Sequence, residues 1–384
     1  MTGGAPPGPP SSGITGGLAA RWTQTAGDHV AALCAAEPDR RPGSAGNRAA
    51  VAYTAGVLER AGWEVDTPAF ACTDWETQGG SLTVGDTALE LVPSPYGLGV
   101  SAAGPIRLLS ERRDLGRSDL AGSIVVLHGA LASEPLTPKA FPFYGSEEHA
   151  SVIGALEAAA PAAVIAVTGR YPSLCGALDP FPLIEDGDFT IPTGNLRPGD
   201  AGPVLEGEAA VVEIRSRRWL TTARNVIAAR GPRRPRVTVI AHIDSKPGTP
   251  GAVDNAAGVA VLLLLAEVLS PERRRHLDVG VELLAVNGED HFAAPGEVDW
   301  LAENEERLED VSLAVNIDGA GYRGARTAYS AYNLDGDLAA RLEQAAAGRE
   351  SLVPGPPFPQ SDHAIFAMRG RPAVAFTTEA IDEM

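Results

Sequence analysis

The second half of the chain holds several short stretches in which an apolar run gives way to residues that bind cations or move protons. In RVTVIAHIDS the run ends at Ile240, and His242 and Asp244 follow two residues apart. A neutral imidazole suits zinc and similar metals. A carboxylate beside it can fix the tautomer by accepting the proton of the other ring nitrogen. In PGAVDNAAGVAVLLLLAEVL, Asp254 and Asn255 open a helical segment, separated from His242 by a Gly/Pro-rich loop. The two oxygens of a carboxylate in that place can bridge two cations. In GVELLAVNGEDHF an apolar run meets the consecutive acids Glu289 and Asp290. Adjacent acids repel unless a cation or proton relieves them, and one can ligate a metal while the other takes a proton from water. In VSLAVNIDGAG the run ends just before Asp318.

Each stretch alone also has an ordinary structural reading: a polar strand end, an N-cap, a solvated acidic turn. Their recurrence at the ends of successive apolar runs points to one shared centre. A last stretch, PQSDHAIFAMRGRPAVAFTTE, sets Ser361, Asp362 and His363 before a helix. No GxSxG elbow surrounds Ser361, which argues against a Ser-His-Asp hydrolase. Helix capping accounts for Ser361 and Asp362.

Side chains so far apart in sequence meet only if the elements beneath them bring them together. From residue 224 onward, ARNVIAA, RVTVIAHID, GVAVLLLLAEVLS, DVGVELLAVNGED and VSLAVNIDGAG alternate buried-type strands with helices. That pattern predicts an α/β fold with a mixed, mostly parallel sheet covered by helices on both faces. In such sheets ligands bind beyond the carboxyl ends of the strands, which is where His242, Asp254, Glu289, Asp290 and Asp318 fall. Upstream, residues 1–17 read as a disordered Gly/Pro/Ser-rich tail. Helices are predicted over Leu18–Ala36 and Ala45–Ala61, with the turn-rich PDRRPGSAGN between them. Residues 75–220 carry many short strand candidates split by Gly and Pro, with one strand–helix–strand unit around Glu147–Ala159, and read as a small β-rich inserted domain. The remaining segments, 18–74 and 221–384, form the main α/β domain.

Bulk properties narrow the function classes. A net charge of −18 repels phosphate backbones and anionic lipid, so neither nucleic acid nor membrane is an expected partner. The cysteines Cys34, Cys72 and Cys175 have no CxxC spacing, which implies neither a disulfide framework nor a thiolate metal site. MTGGAPPGPPSSGITGG has no basic and no apolar region of the signal-peptide kind. A cytoplasmic location follows by default.

Taken in order, HID, the PG loop with DN before an apolar helix, NGED, NID, and SDHAIF before RPAVAF resemble the co-catalytic di-zinc aminopeptidases. That group also contains glutamate carboxypeptidase and the transferrin receptor ectodomain. The resemblance covers roughly residues 220–380, and RRPGSAGN after the first helix adds to it. Residues 75–220 resemble the protease-associated domain that many members carry as an insertion. The resemblance implies an exopeptidase, most simply an aminopeptidase acting on a peptide or amino-acyl substrate with two zinc ions. Asp254 would bridge the metals, His242 and Asp318 would bind one, and Asp290 the other. Glu289 would be the general base, and Asp244 would orient His242. Relatives supply a final histidine ligand after the last core strand. No histidine follows His363 in this sequence, so the peptidase domain reads as C-terminally short, with His363 or His291 as the substitute ligand. Two alternatives remain open at this stage: a non-catalytic binding member of the same fold, and a single-zinc enzyme of the glutaminyl-cyclase kind.

Overall fold

The computed structural model describes residues 16–143, 145–171, 178–358 and 360–380. Most of the expected N-terminal tail, together with Cys175 and residues 381–384, lies outside them. Helices α1 (Gly16–Cys34) and α2 (Ala45–Arg60) come first, followed by a short strand β1 (Glu64–Asp66). Helix α1 begins two residues inside the interval read as tail. Ser44 starts α2 by accepting a hydrogen bond from the Asn47 amide at 2.9 Å, which satisfies one of the orphan donors of its first turn.

The next block contains β2 (Ala69–Val84), β3 (Thr87–Pro93), β4 (Val100–Leu109), β5 (Ile124–Leu127), α3 (Glu147–Ala159), β6 (Ala163–Val167), β7 (Thr193–Leu196), α4 (Gly202–Glu206) and β8 (Ala209–Arg224). Its strands close a barrel in the order β2-β3-β7-β6-β5-β4-β8. Leu82, Leu91, Ile124, Val126, Ile165 and Val212 fill a core of its own. The barrel strands extend beyond 75–220 on both sides because β2 and β8 are 16-residue arms paired from Ala69↔Arg224 onward. The chain thus enters and leaves this unit at adjacent points.

The remaining elements are β9 (Val226–Arg230), β10 (Arg236–His242), α5 (Ala257–Val268), β11 (Gly280–Val286), α6 (Pro295–Asn304), β12 (Val311–Ile317), β13 (Thr327–Tyr332), α7 (Gly336–Ala346), β14 (Leu352–Pro354), α8 (Ala364–Ala367) and β15 (Ala373–Thr378). With β1 they form an eight-stranded sheet in the order β1-β9-β11-β10-β12-β15-β13-β14. The four central strands β11, β10, β12 and β15 run parallel, while β9 and β13 flank them antiparallel. Strand alternation explains why the central runs are apolar on both sides. Val239, Ala241, Leu283 and Ala285 face Val259, Leu262 and Leu263 of α5 together with Leu58 of α2. Ile240, Leu284 and Val286 face Trp300 and Leu301 of α6 and Phe366 of α8. The sheet is therefore sandwiched between two helical layers. No helix among the described residues is long and apolar enough to cross a membrane.

Candidate metal centre

Because β10, β11 and β12 run parallel, their carboxyl ends open onto one rim. His242 is the last residue of β10 and is fully buried. Its Nε2 lies 3.1 Å from Asp254 Oδ1, 3.4 Å from Asp318 Oδ1 and 4.0 Å from Glu289 Oε2. Its Nδ1 lies 3.6 Å from Asp244 Oδ1. Four of the carboxylates singled out in the sequence thus ring one imidazole. Neither ring nitrogen has a hydrogen-bond partner, and buried polar atoms without partners are costly. Burial alone would depress the His242 pKa, but Asp318 and the other surrounding carboxylates carry it well above the ordinary value. The pocket calls for positive charge.

Asp244 sits behind the ring, fully buried. Its Oδ1 accepts the Gly288 amide at 2.7 Å and its Oδ2 accepts the Asp290 amide at 3.0 Å. One carboxylate therefore ties the end of β10 to the loop that carries the acid pair. Burial opposes its charge, yet His242 and the Gly288 amide hold its pKa below the usual carboxylate range. Burial pushes Glu289 and Asp290 well above that range. In Glu289, Asp290 and Asp318 add to the rise; in Asp290, Asp254 does. Asp290 Oδ2 is buried with no partner.

Asp318 follows β12, and its Oδ2 accepts the Ser361 hydroxyl at 2.6 Å. Ser361 Oγ in turn accepts from Asn316 Nδ2 at 2.7 Å. The capping interpretation of Ser361 and Asp362 is therefore wrong: α8 spans four residues and its N-cap position, His363, makes no side-chain cap. Ser361, held at φ 126°, turns toward Asp318 instead. The Asp362 carboxylate is fully buried, beside Glu297. Burial, then the charge of Glu297, raises its pKa well above the usual range, and burial does the same to Glu297. Asn255 orders the loop of Asp254 by donating to Ile317 O at 2.8 Å and accepting the Gly258 amide at 3.0 Å.

The two substitute ligands do not join the cluster. His291 Nε2 lies 3.0 Å from Thr73 O on β2, and its Nδ1 accepts the Ala293 amide at 3.3 Å. The ring packs on Phe292 at 4.3 Å and Tyr96 at 4.8 Å, and burial lowers its pKa to about 4. It is a neutral wedge between the barrel and the sheet. His363 Nδ1 accepts from Asn316 Nδ2 at 3.3 Å, and its ring packs on Tyr332 and Phe358. Among the described residues, neither histidine offers a ligand atom to the two clustered groups.

Among the described residues, His242, Asp254 and Asp318 place one ligand atom each within 4.8 Å of one another, and so do His242, Asp244 and Asp290. The first group offers one imidazole nitrogen and two carboxylate oxygens around an orphaned Nε2, a donor set that fits zinc. The second rests on Asp290 and has a competitor. Lys246 Nζ lies 3.0 Å from Asp290 O, 3.9 Å from Asp290 Oδ1 and 3.3 Å from Glu185 Oε1 of the barrel. Lys246, Glu185 and Glu297 carried no signal in the sequence, because their partners are main-chain atoms or residues of distant segments; Arg40 stood only as part of RRPGSAGN, with no role attached.

Residues 225–383 match peptidase family M28. Aminopeptidase YwaD of Bacillus subtilis is 29% identical over 163 residues, which is 40% of this chain and 34% of that protein. The probable lipoprotein aminopeptidase LpqL of Mycobacterium tuberculosis is 26% identical over 294 residues, 73% of this chain and 54% of that protein. The chain thus spans about a third and about half of the length of these two relatives. BSAP, a zinc aminopeptidase from Bacillus subtilis, superposes with a TM-score of 0.68 at 19% identity, covering 92% of this chain and 84% of that one, which establishes the shared fold. The residues of the ring, from His242 to Asp318, all lie inside the segment 225–383 that is similar to peptidase family M28.

Proposed function

We propose that the chain is a metal-dependent aminopeptidase that hydrolyses N-terminal peptide bonds. The observation that carries this reading is the buried His242 Nε2, which faces Asp254 at 3.1 Å and Asp318 at 3.4 Å with Glu289 at 4.0 Å and has no hydrogen-bond partner. His242 and Asp318 would hold one zinc ion, Asp290 the other, and Asp254 both. The zinc named for BSAP supports that choice of metal. Metal ions there would lower the pKa of water and polarise a scissile carbonyl.

The chain's own groups supply the rest. Glu289 would be the general base; what supports this is that it borders the ligand ring and that its side chain is 20% exposed where that of His242 is closed off. It would take the proton of the attacking water on its carboxylate and pass it to the leaving amine. Asp244 would keep the His242 ring in place through its two bonds to the Glu289–Asp290 loop. Carboxylates on the open side of the rim would hold the free α-amine of the substrate. The barrel, read as a protease-associated-type insertion, would cover the crevice and limit peptide length. Its contacts support that reading: Glu185 reaches Lys246, and Thr73 O holds His291.

The test is hydrolysis of amino-acyl anilides by purified chain supplied with zinc or cobalt, with metal content measured alongside. Wild type should turn over and Glu289→Gln should lose at least about 100-fold in kcat with unchanged metal content, as expected for loss of a general base. Equal turnover by the variant removes Glu289 as base. A chain that binds no metal favours the non-catalytic reading, and conversion of N-terminal Gln peptides to cyclised product favours a cyclase.

A further inference from the structure

The segment RRPGSAGN lies far from the ligands in sequence, yet its side chains reach both ligand-bearing loops. Arg40 is 1% exposed. Its Nε donates to Ile243 O at 2.7 Å, its Nη1 to Pro250 O at 2.6 Å, and its Nη2 to Gly251 O at 2.8 Å. Ile243 directly follows His242, and Gly251 stands three residues before Asp254. One planar guanidinium therefore joins the two ends of the loop that separates these ligands. The approach is close: a Cβ at Gly251, where φ is +54°, would come within 2.7 Å of Arg40 Nη2 and 2.5 Å of Asp254 O. The flanking residues add to the clamp. The Arg40 amide donates to Ser245 Oγ at 3.3 Å, and Asp39 Oδ2 accepts the Gly248 amide at 3.1 Å. At the other end of the segment, Asn47 and Asn287 exchange two side-chain hydrogen bonds of 2.8 and 2.9 Å, just before Gly288 and Glu289.

We propose that Arg40 is a positioning residue for the metal centre, holding the 243–251 loop at the length that sets Asp254 beside His242. This rests on the metal-centre reading above. A guanidinium spans carbonyls on both sides of a loop because its donors point outward in a fixed fork; an ammonium presents its donors from a single atom. Arg40→Lys keeps the charge and loses the span. Residues that orient ligands cost about 10- to 100-fold in metal affinity when replaced.

The experiment compares wild type with Arg40→Lys, and with Arg40→Ala with and without added ethylguanidinium. Three quantities are measured: zinc affinity by competition with a chromophoric chelator, apo-protein Tm, and hydrogen exchange of residues 243–254. Expected are a loss of at least about tenfold in zinc affinity in Arg40→Lys, faster exchange confined to that loop, and recovery of affinity in Arg40→Ala by ethylguanidinium. Zinc affinity within twofold of wild type in Arg40→Lys overturns the proposal. So does a loss of affinity with exchange quickened equally across the whole sheet, which marks general destabilisation. If wild type binds no zinc, the metal reading fails. The exchange comparison then still decides whether Arg40 holds the loop, and unchanged exchange overturns it.

Discussion

Asp244→Asn isolates one carboxylate whose work is visible in two bonds. In the folded chain Asp244 accepts the Gly288 amide at 2.7 Å and the Asp290 amide at 3.0 Å, with no exposure to water. Asparagine keeps the shape but has one oxygen, so its NH2 must face one of the two amides. The result is one buried N–H without an acceptor, worth about 1–3 kcal/mol, and one charge-assisted bond reduced to a neutral one, worth about 1 kcal/mol more. Removing a buried charge returns part of this, so a net destabilisation of about 2 kcal/mol is expected. The same change frees the loop that carries Glu289 and Asp290 and removes the carboxylate beside His242 Nδ1. A loss of about 10- to 100-fold in zinc affinity should therefore accompany it. Urea denaturation of the apo-protein, followed by tryptophan fluorescence, reads the first number, and chelator competition reads the second. A stability change below about 0.5 kcal/mol, the usual range of a surface substitution, together with unchanged affinity, would refute the role given to Asp244.

Two further substitutions probe neighbouring parts of the rim. At Gly258 an added Cβ would lie 2.2 Å from Asn255 Oδ1 and 2.2 Å from Ile317 O, so Gly258→Ala must push the Asp254 loop away from the end of β12. Destabilisation of about 1–3 kcal/mol is expected from such overpacking, read as a lowered Tm, and zinc affinity should drop with it; a Tm equal to wild type contradicts the packing described. Lys246→Met removes the cation between Asp290 and Glu185. Because an ammonium 3.9 Å from Asp290 Oδ1 opposes a second cation on that carboxylate, the weaker of two zinc-binding steps should tighten about tenfold. Calorimetric titration measures this, and an unchanged or weakened second step shows that Lys246 does not compete.

How much of this was legible in the sequence follows from the kind of contact involved. The ring of ligands was legible because strands buried on both faces read as continuous apolar runs, and each such run ended at or just before a His or an acid. Parallel strands then put those ends on one rim. Helix α2 was legible from the turn signals before it and α3 as a helical stretch inside a strand-rich segment; the N-caps of the two helices are Ser44 and Ser146. Barrel closure was not legible, because a strand pattern fixes which face is buried but not which strand it pairs with; the parallel pairs β4–β5, β5–β6 and β6–β7 join segments tens of residues apart. Ser361 and Asp362 look like caps locally, and only the position of Asp318 across the rim shows what Ser361 does. The role of Arg40, present in the sequence only as part of RRPGSAGN, was invisible for a related reason. Its partners are carbonyl oxygens, which every residue has, so no residue type in the loop signals them.

The charge balance of the rim explains why these side chains form a binding centre and not a polar fringe. Asp244, Asp254, Glu289, Asp290 and Asp318 surround one imidazole in space largely closed to water. Carboxylates in such a place must be protonated, paired or metal-bound, since an isolated buried charge is far too costly. Pairing is in short supply: among the described residues, the cations near the ring are Lys246 at Asp290 and Arg40, which donates to main-chain oxygens. Exposure gives the ring a direction. His242 and Asp244 are closed off at 0%, whereas the Asp254 side chain is 35% exposed and that of Glu289 20%. Glu289, which would act on the attacking water, and Asp254, which would hold both metals, thus stand on the side that solvent, and therefore a substrate, can reach, and the residues that orient the ring form its closed back wall.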